Sequence, residues 1–169
     1  MSEALILIVN DKDQPIGEAK NEEVLKLGLI HRVARVMIED GEENILLQKR
    51  ADDMRFYPKC WDTSAGGRVD AGEINEFAAS RELFEEIGIK AKNLDYLGSY
   101  FTDYTYEKQN IKRFNHTYKK VLSKNIITKL NPLEVSQVKW FSVSEIKKMI
   151  TECPNKVTDG LTDVIKRYY

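Results

Sequence analysis

The chain of 169 residues is poor in cysteine and proline, with two of the former and four of the latter. Cys60 and Cys153 are too few for a disulfide framework, so we expect two free thiols in a reducing compartment. Long apolar runs are also absent, since the early run ALILIV is far shorter than the ~20 residues that a spanning helix needs. No positively charged stretch precedes it, which disfavours a secretory signal. These absences predict a cytoplasmic protein without a membrane partner.

The net charge of −1 lacks the basic excess of a nucleic-acid-binding protein. Charge is nevertheless uneven along the chain. Acids dominate residues 69–88, where Arg81 is the one base, and residues 108–129 contain bases but no acid. An acidic and a basic segment in one domain suit a small anionic substrate held through cations. We therefore expect no nucleic-acid partner, and the sequence leaves a homodimer open.

Apolar periodicity and turn formers predict about seven strands and two substantial helices. These elements do not alternate as in a doubly wound fold, so the predicted fold class is α+β, a mixed sheet with helices packed against it. At this length the chain is expected to be one domain, residues 1–169. Residues 1–30 are expected to form an N-terminal β-hairpin and a short helix, and residues 53–67 a loop punctuated by Pro58.

The clearest helical pattern runs from about residue 73 to residue 87 and is closed by Gly88, which suits the left-handed position after a helix. A wheel at about 100° per residue predicts which residues share each side. The stripe expected to face the core consists of Phe77, Ala79, Leu83, Phe84 and Ile87. The opposite side is expected to carry Glu82, Glu85 and Glu86.

These three glutamates admit two interpretations. Acids opposite an apolar stripe are normal on a solvated helix face. Like charges three and four residues apart nevertheless destabilise a helix, and carboxylate oxygens are the ligands that Mg²⁺ or Mn²⁺ prefers. The helix alone leaves both interpretations open, so the flanking residues must decide between them.

The flanking residues carry a spaced motif. The stretch GRVDAGEINEFAASRELFEEIGI, residues 67–89, matches every fixed position of the Nudix box, G-x5-E-x7-R-E-U-x-E-E-x-G-U, where U is aliphatic. The matching residues are Gly67, Glu73, Arg81, Glu82, Leu83, Glu85, Glu86, Gly88 and Ile89. The sequence therefore resembles a Nudix hydrolase, and the similarity extends over residues 31–150 as a Nudix core. The resemblance implies a mixed sheet sandwiched between helices (α/β/α).

The resemblance also implies an activity, the cleavage of a diphosphate bond in a nucleoside diphosphate linked to another moiety, with Mg²⁺ or Mn²⁺ as cofactor. The implied metal ligands are Glu82, Glu85, Glu86 and the carbonyl of Gly67. Glu73 and Arg81 match the family's structural ion pair. On an ideal wheel their contact would require the start of the helix to bend inward.

A carboxylate is needed to take the proton from the attacking water. The candidates are Glu85 and Glu86 within the box and, as the resemblance implies, Glu134 outside it. Candidate contacts to the small-molecule diphosphate substrate are basic residues, since arginine is a usual phosphate partner. These are Arg50, Arg55, Arg113 and His116, although a plain solvated surface is the alternative for each.

Beyond the box, the sequence resembles the branch of the superfamily related to isopentenyl-diphosphate isomerase. His31 matches an isomerase histidine. The isomerase's catalytic cysteine, however, is replaced by Gly66, and its metal-binding histidine by Arg68. Its later pair of glutamates has no counterpart in RFNHTYKKV, whereas the REUxEE core is intact. These departures predict a hydrolase rather than an isomerase or a non-catalytic binding module.

Overall fold

The computed structural model describes residues 4–169, so the first three residues of the predicted segment 1–30 lie outside the description. Within the described residues the chain forms nine strands and four helices. In order, these are β1 (Ile6–Val9), β2 (Pro15–Ala19), α1 (Asn21–Leu27), β3 (His31–Glu39), β4 (Asn44–Arg50), β5 (Trp61–Asp62), β6 (Ala65–Arg68), α2 (Asn75–Ile87), β7 (Asp95–Tyr106), β8 (Gln109–Val121), β9 (Val135–Ser142), α3 (Val143–Glu152) and α4 (Asp159–Tyr168).

Strand β3 is the centre of the sheet. It pairs in parallel with β8 and antiparallel with β1, β4 and β6. Its register with β4 covers only Ile38 and Glu39, whereas residues 33–36 pair with β6. β4 pairs instead with β5 and β9. Because β3 and β4 separate after this short register, β5 and β6 lie next to the gap between them.

Both faces of the sheet are covered, which explains the almost continuous apolar run of β3. On one face Ala34, Val36 and Ile38 pack in a buried cluster with α2. On the other face Met37 packs in a second buried cluster, which contains Ile146 of α3 and residues of α4. Successive residues of a strand point to opposite faces. The predicted α+β class with a sheet between helices is confirmed.

The N-terminal hairpin, β1 and β2, is also confirmed. Ile6 and Ile8 of β1 form a small core with Val24 of α1. Helix α1 ends at Gly28, whose φ of 62° lies in the left-handed region that glycine adopts readily. The hairpin thus extends the sheet through the pairing of β1 with β3, and α1 contacts β8.

The prediction that residues 53–67 form only a loop was wrong for the end of this segment. β5 and most of β6 lie there, and both are too short and too rich in glycine and polar residues to produce an alternating apolar pattern. Cys60 and Cys153 are free thiols, as expected. No helix of residues 4–169 has the length and apolar character to cross a membrane.

Candidate active site

Helix α2 buries Ala79, Leu83 and Ile87 of the predicted core stripe, but the stripe is shifted around the helix relative to the prediction. Its buried residues are Ala78, Ala79, Leu83, Glu86 and Ile87. Phe77 and Phe84 are 67% and 48% exposed, so their assignment to the core was wrong. At about 100° per residue these two phenylalanines fall together on the side opposite Glu86. A carboxylate therefore occupies the buried face and two aromatic rings the outer one.

Glu86 is only 3% exposed. Its Oε2 atom accepts hydrogen bonds of 2.9 Å from the backbone N–H of Gly66 and from Nε2 of Gln48. Burial raises the pKa of Glu86 well above its usual range, and the neighbouring charge of Glu82 acts in the same direction. The carboxylate is thus held rigidly against β6, and no cationic side chain of residues 4–169 pairs with it.

Glu82 lies against the same strand. Burial raises the pKa of Glu82 to about 7, although the nearby Arg81 opposes the shift. A Cβ atom at Gly67 would collide with the carboxylate of Glu82. Gly67 belongs to β6 and pairs with Ala34 in a regular antiparallel register. The position requires glycine because the carboxylate approaches the backbone closely.

Arg81 donates hydrogen bonds to three carboxylates of this region. Its Nε and NH2 atoms donate to the two carboxylate oxygens of Glu73, each at 2.9 Å. Its NH1 atom donates to Glu82 at 2.7 Å and to Glu85 at 3.1 Å. The contact with Glu73 needs no bend in the helix, because α2 begins at Asn75 and Glu73 precedes it. Glu85 is the most exposed of the three box glutamates.

Glu134 approaches the acids of α2 from the loop before β9. Its charge adds to the effect of burial in raising the pKa values of both Glu82 and Glu86. Its Oε1 atom accepts a hydrogen bond of 2.8 Å from Nδ2 of Asn131. The backbone N–H of Asn131 in turn donates to the carbonyl of Glu86, which ties this loop to the end of α2.

The three box glutamates do not converge on one point. Among residues 4–169, no group of three histidine, cysteine or acidic side chains is arranged to hold a metal ion. Arg81 draws Glu82 and Glu85 toward itself, while Glu86 faces Gly66. The donor set nevertheless fits a divalent cation, since it offers hard carboxylate oxygens. Glu86 is buried and Glu82 is partly buried, and both are like charges with raised pKa values, which a cation would relieve.

A cavity of about 140 Å³ lies on the other side of Gly66 and Gly67. Its wall comes from strands β3 to β8, from the segment between β4 and β5, from α1 and from the start of α4. The charged lining residues are Arg35, Arg50, Arg68, Arg113, Asp62 and Asp159. Arginines therefore outnumber acids in this wall, in contrast with the acidic face of α2.

Of the predicted substrate residues, Arg50 and Arg113 line this cavity. Nε of Arg50 donates to the carbonyl of Phe56 at 2.9 Å, and its NH1 atom lies 3.5 Å from a carboxylate oxygen of Asp62. NH2 of Arg113 pairs with Asp159 at 2.6 Å. Both arginines are thus positioned partly by acids at the edge of the cavity.

Arg55 and His116 do not line this cavity. Arg55 borders a separate surface groove near α1 and the turn between β7 and β8. His116 follows Arg113 by three positions in β8 and therefore points to the opposite face. There its Nε2 atom lies 2.9 Å from Oδ2 of Asp13 and its Nδ1 atom 3.2 Å from the hydroxyl of Tyr96.

Sequence reasoning missed several residues of the site. Gln48 contacts Glu86, and Arg35 contacts Asn115 and Asp62 from within the sheet. A charged residue among the buried apolar positions of β3 was the available signal for Arg35. Arg68 was noted only as the replacement of a histidine. His31 also lines the cavity, and its ring is buried with Nδ1 3.2 Å from the carbonyl of Leu29.

Comparison with known proteins gives a consistent result. The family model described as the NUDIX domain matches residues 29–161. The chain is 32% identical to isopentenyl-diphosphate Delta-isomerase 2 of Photorhabdus laumondii, over 98% of this chain and 92% of that protein. It is 31% identical to the uncharacterized Nudix hydrolase YfcD of Escherichia coli K12, over 82% of this chain and 74% of that protein.

The fold is also shared with solved structures. The crystal structure of DR0079 from Deinococcus radiodurans superposes with a TM-score of 0.75. The superposition covers 98% of this chain and 99% of that chain at 20% sequence identity. An identity this low establishes a common fold, and it carries no information on the reaction.

Proposed function

The chain belongs to the Nudix family and is a hydrolase, and we propose that it cleaves the diphosphate bond of a nucleoside diphosphate linked to another moiety. The proposal rests chiefly on one observation. The partly buried carboxylate of Glu82 and the buried carboxylate of Glu86 contact one side of the Gly66–Gly67 backbone, and an arginine-rich cavity lies on the other. A diphosphate accompanied by a divalent cation would offer positive charge to the carboxylates and negative charge to the arginines.

The cation would be held by Glu82, Glu85 and Glu86, with the carbonyl of Gly67 as a further ligand. Nudix hydrolases generally use divalent metals, and carboxylate oxygens favour Mg²⁺ or Mn²⁺ over softer ions. Such a cation supplies charge neutralisation on the diphosphate oxygens. Arg81 would release Glu82 and Glu85 toward it while keeping its paired hydrogen bonds to Glu73.

Among the three candidate bases, we favour Glu134 as the group that takes the proton from the attacking water. Glu86 already accepts two hydrogen bonds through Oε2, which suits a fixed ligand better than a proton acceptor. Glu85 forms its described contact with Arg81. Glu134 lies near the other acids, and within the described residues only its Oε1 atom accepts a side-chain hydrogen bond. Its position supports this role.

On the basic side, Arg50 and Arg113 would contact substrate phosphate. Both project into the cavity from different strands, β4 and β8, and Asp62 and Asp159 position them. A guanidinium fixed by a carboxylate loses little further freedom when it binds an oxyanion. The nucleoside or its attached moiety would extend beyond the cavity, because about 140 Å³ is below the roughly 300 Å³ of typical pockets for whole small molecules.

The similarity to the Photorhabdus isomerase makes isomerisation of a prenyl diphosphate the second candidate function. One observation opposes it. A Cβ atom at Gly66 would lie 2.9 Å from the backbone carbonyl of Ala34, so this backbone has no room for the isomerase's cysteine. Incubation with isopentenyl diphosphate and Mg²⁺ should yield no dimethylallyl diphosphate, and formation of that product would establish the isomerase.

The proposed activity is tested with a panel of nucleotide sugars, dinucleotides, nucleoside triphosphates and coenzyme A derivatives. Release of phosphate or nucleotide is measured with Mg²⁺, with Mn²⁺ and with excess chelator. We expect turnover of at least one class, dependent on either metal. Absence of metal-dependent turnover across the whole panel would contradict the proposal.

A further inference from the structure

Arg68, at the end of β6, is a charged side chain without a partner among the described residues. Its Nε atom is buried and has no hydrogen-bond partner there. Within residues 4–169 its guanidinium forms no ion pair and no side-chain hydrogen bond, whereas Arg35, Arg50 and Arg113 each have an acid nearby. A guanidinium carries five N–H donors, and leaving them unpaired away from water is unfavourable.

Arg113 faces the same cavity from β8 and is only partly satisfied. Its NH2 atom pairs with Asp159 and its guanidinium stacks over the ring of Tyr104, with 5.2 Å between the guanidinium carbon and the ring centroid. Its Nε atom is buried, and no group in the described part of the chain bonds to it. Burial, followed by the charge of Arg113, lowers the pKa of Arg68. Two like charges are therefore crowded together with unused donors.

The strand register explains why these two arginines share one side of the sheet. Arg68 is opposite Val33 in the β3–β6 pairing, and Arg113 is opposite His31 in the β3–β8 pairing. His31 and Val33 are two positions apart in β3, so both arginines project from the same face. Gly67, the neighbour of Arg68, contacts Glu82 on the opposite face.

We propose that Arg68 and Arg113 together bind one phosphate group of the substrate in the cavity beside Gly67. Phosphate oxygens match the planar fork of arginine and accept from several of its donors at once. By a measure in which one water takes about 10–15 Å³, the cavity of about 140 Å³ has ample room for such a group. The inference rests on the proposed function in that the phosphate belongs to the diphosphate being cleaved.

The test separates binding from catalysis by using inorganic phosphate on the metal-free protein. Phosphate is titrated in the presence of EDTA, with sodium chloride of equal ionic strength as the reference, and binding is measured by calorimetry. Arg68→Gln should weaken phosphate binding by about tenfold or more, as expected for a lost charge-assisted hydrogen bond. Arg167→Gln is the matched control, because Arg167 is exposed on α4 and should leave binding unchanged.

Thermal unfolding gives a readout that a purely structural role would not produce. Arg68 forms no ion pair among the described residues, so its replacement removes none. Arg68→Gln should therefore keep or raise the melting temperature while it weakens phosphate binding. Arg68→Lys should bind phosphate between the wild type and Arg68→Gln, since the charge remains without the fork. A lower melting temperature with undiminished phosphate binding would overturn the inference, as would phosphate binding equal to that of Arg167→Gln.

The outcomes also separate this inference from the proposed function. If turnover depends on metal but phosphate binding does not depend on Arg68, the proposed hydrolase activity is supported and the arginine site is contradicted. Phosphate binding that depends on Arg68, without turnover of any tested diphosphate, would support the arginine site and contradict the proposed hydrolase activity. For a turned-over substrate, Arg68→Gln should raise KM by about tenfold or more while kcat changes less.

Discussion

The two sides of strand β6 bury charges of opposite sign. On the α2 side, Glu82 and Glu86 lie against Gly67 and Gly66, and burial raises the pKa of both carboxyl groups. On the cavity side, Arg68 and Arg113 crowd together with unpaired donors among the described residues. Each arrangement is unfavourable in isolation. We take the pair as the two halves of one site, one built for a cation and the other for a phosphate.

The two sides differ in how the chain assembles them. The acidic side comes from one helix, so fixed spacing in a contiguous stretch brings its residues together. The basic side combines β3, β6 and β8, whose contributions are far apart in sequence and meet only through strand register. Local spacing is therefore visible in a sequence as a contiguous motif, whereas long-range strand pairing is not.

The largest effect is expected from breaking the acidic side. Glu86→Gln removes the most buried ligand candidate, and turnover should fall by about 10²–10³-fold or more, as for loss of a principal electrostatic contact. Steady-state rates with Mg²⁺ measure the loss. Glu76→Gln, an exposed acid on the same helix, is the matched control and should retain full activity. Equal rates for the two variants would remove Glu86 from the site.

A smaller effect on turnover is expected at Glu134, which separates proton transfer from metal binding. Glu134→Gln should lower kcat by about 10²-fold with little change in KM, because general-base catalysis typically contributes 10²–10⁴-fold. The dependence of rate on Mg²⁺ concentration should stay the same. A variant with weakened Mg²⁺ dependence and unchanged kcat at saturation would instead make Glu134 a ligand.

Substitution of Gly67 tests the close packing of the acidic side against the backbone of β6. Gly67→Ala places a methyl group against the carboxylate of Glu82. We expect a loss of about 1–3 kcal/mol in the free energy of unfolding, typical of overpacking, together with reduced activity. Chemical denaturation measures it. Gly17→Ala is the control, because a Cβ atom there meets nothing within 4 Å, and it should cost much less.

The basic side also predicts a pH dependence of stability through His31. Burial lowers the pKa of His31 to about 3, and the charge of Arg68 acts in the same direction. In the unfolded chain the imidazole takes up its proton near the ordinary histidine pKa of 6.5, so the stability from His31 is complete above that pH and is lost as the pH falls toward 3. Lowering the pH from 7 to 5 should cost about 2 kcal/mol from this group.

Urea denaturation of the wild type and of His31→Gln at both pH values measures this contribution. On acidification the variant should lose about 2 kcal/mol less free energy of unfolding than the wild type. Equal losses would show that His31 is not held neutral beside the arginines.

The smallest effect is expected at the exposed outer face of α2, with its buried inner face as the reference. Phe77 lies on the exposed outer face, so Phe77→Gln should change the free energy of unfolding by about 0.5 kcal/mol or less. Leu83 on the inner face is fully buried, and Leu83→Ala should cost about 2–5 kcal/mol. A large loss at Phe77 would restore the assignment of that ring to the core.

The sequence predicted the fold class, the N-terminal hairpin, the end of α2 at Gly88 and, through resemblance, the family. These features depend on local pattern and fixed spacing. It placed Phe77 and Phe84 in the core because apolar character was taken as burial, whereas this helix buries Glu86 instead. A carboxylate on the core-facing side violates the usual pattern, and such violations are expected where function requires them.

The cavity could not be predicted from the sequence, for a different reason. Arg35 and Arg68 come together through the pairing of β3 with β6, and β6 is a short strand without an apolar pattern. His116 illustrates the converse, since it was grouped with Arg113 on charge alone. The alternation of β8 sends the two side chains to opposite faces. Face assignment within a strand requires its register, which single-sequence reasoning did not supply.

We expect the acidic side of β6 to hold a divalent cation, and Mn²⁺ binding measures this directly. Titration followed by electron paramagnetic resonance reports free Mn²⁺, independently of any substrate. The wild-type protein should bind Mn²⁺, and the Glu82→Gln/Glu86→Gln double variant should lose that binding, while Glu76→Gln retains it. Equal Mn²⁺ binding by the double variant and the wild type would contradict the account.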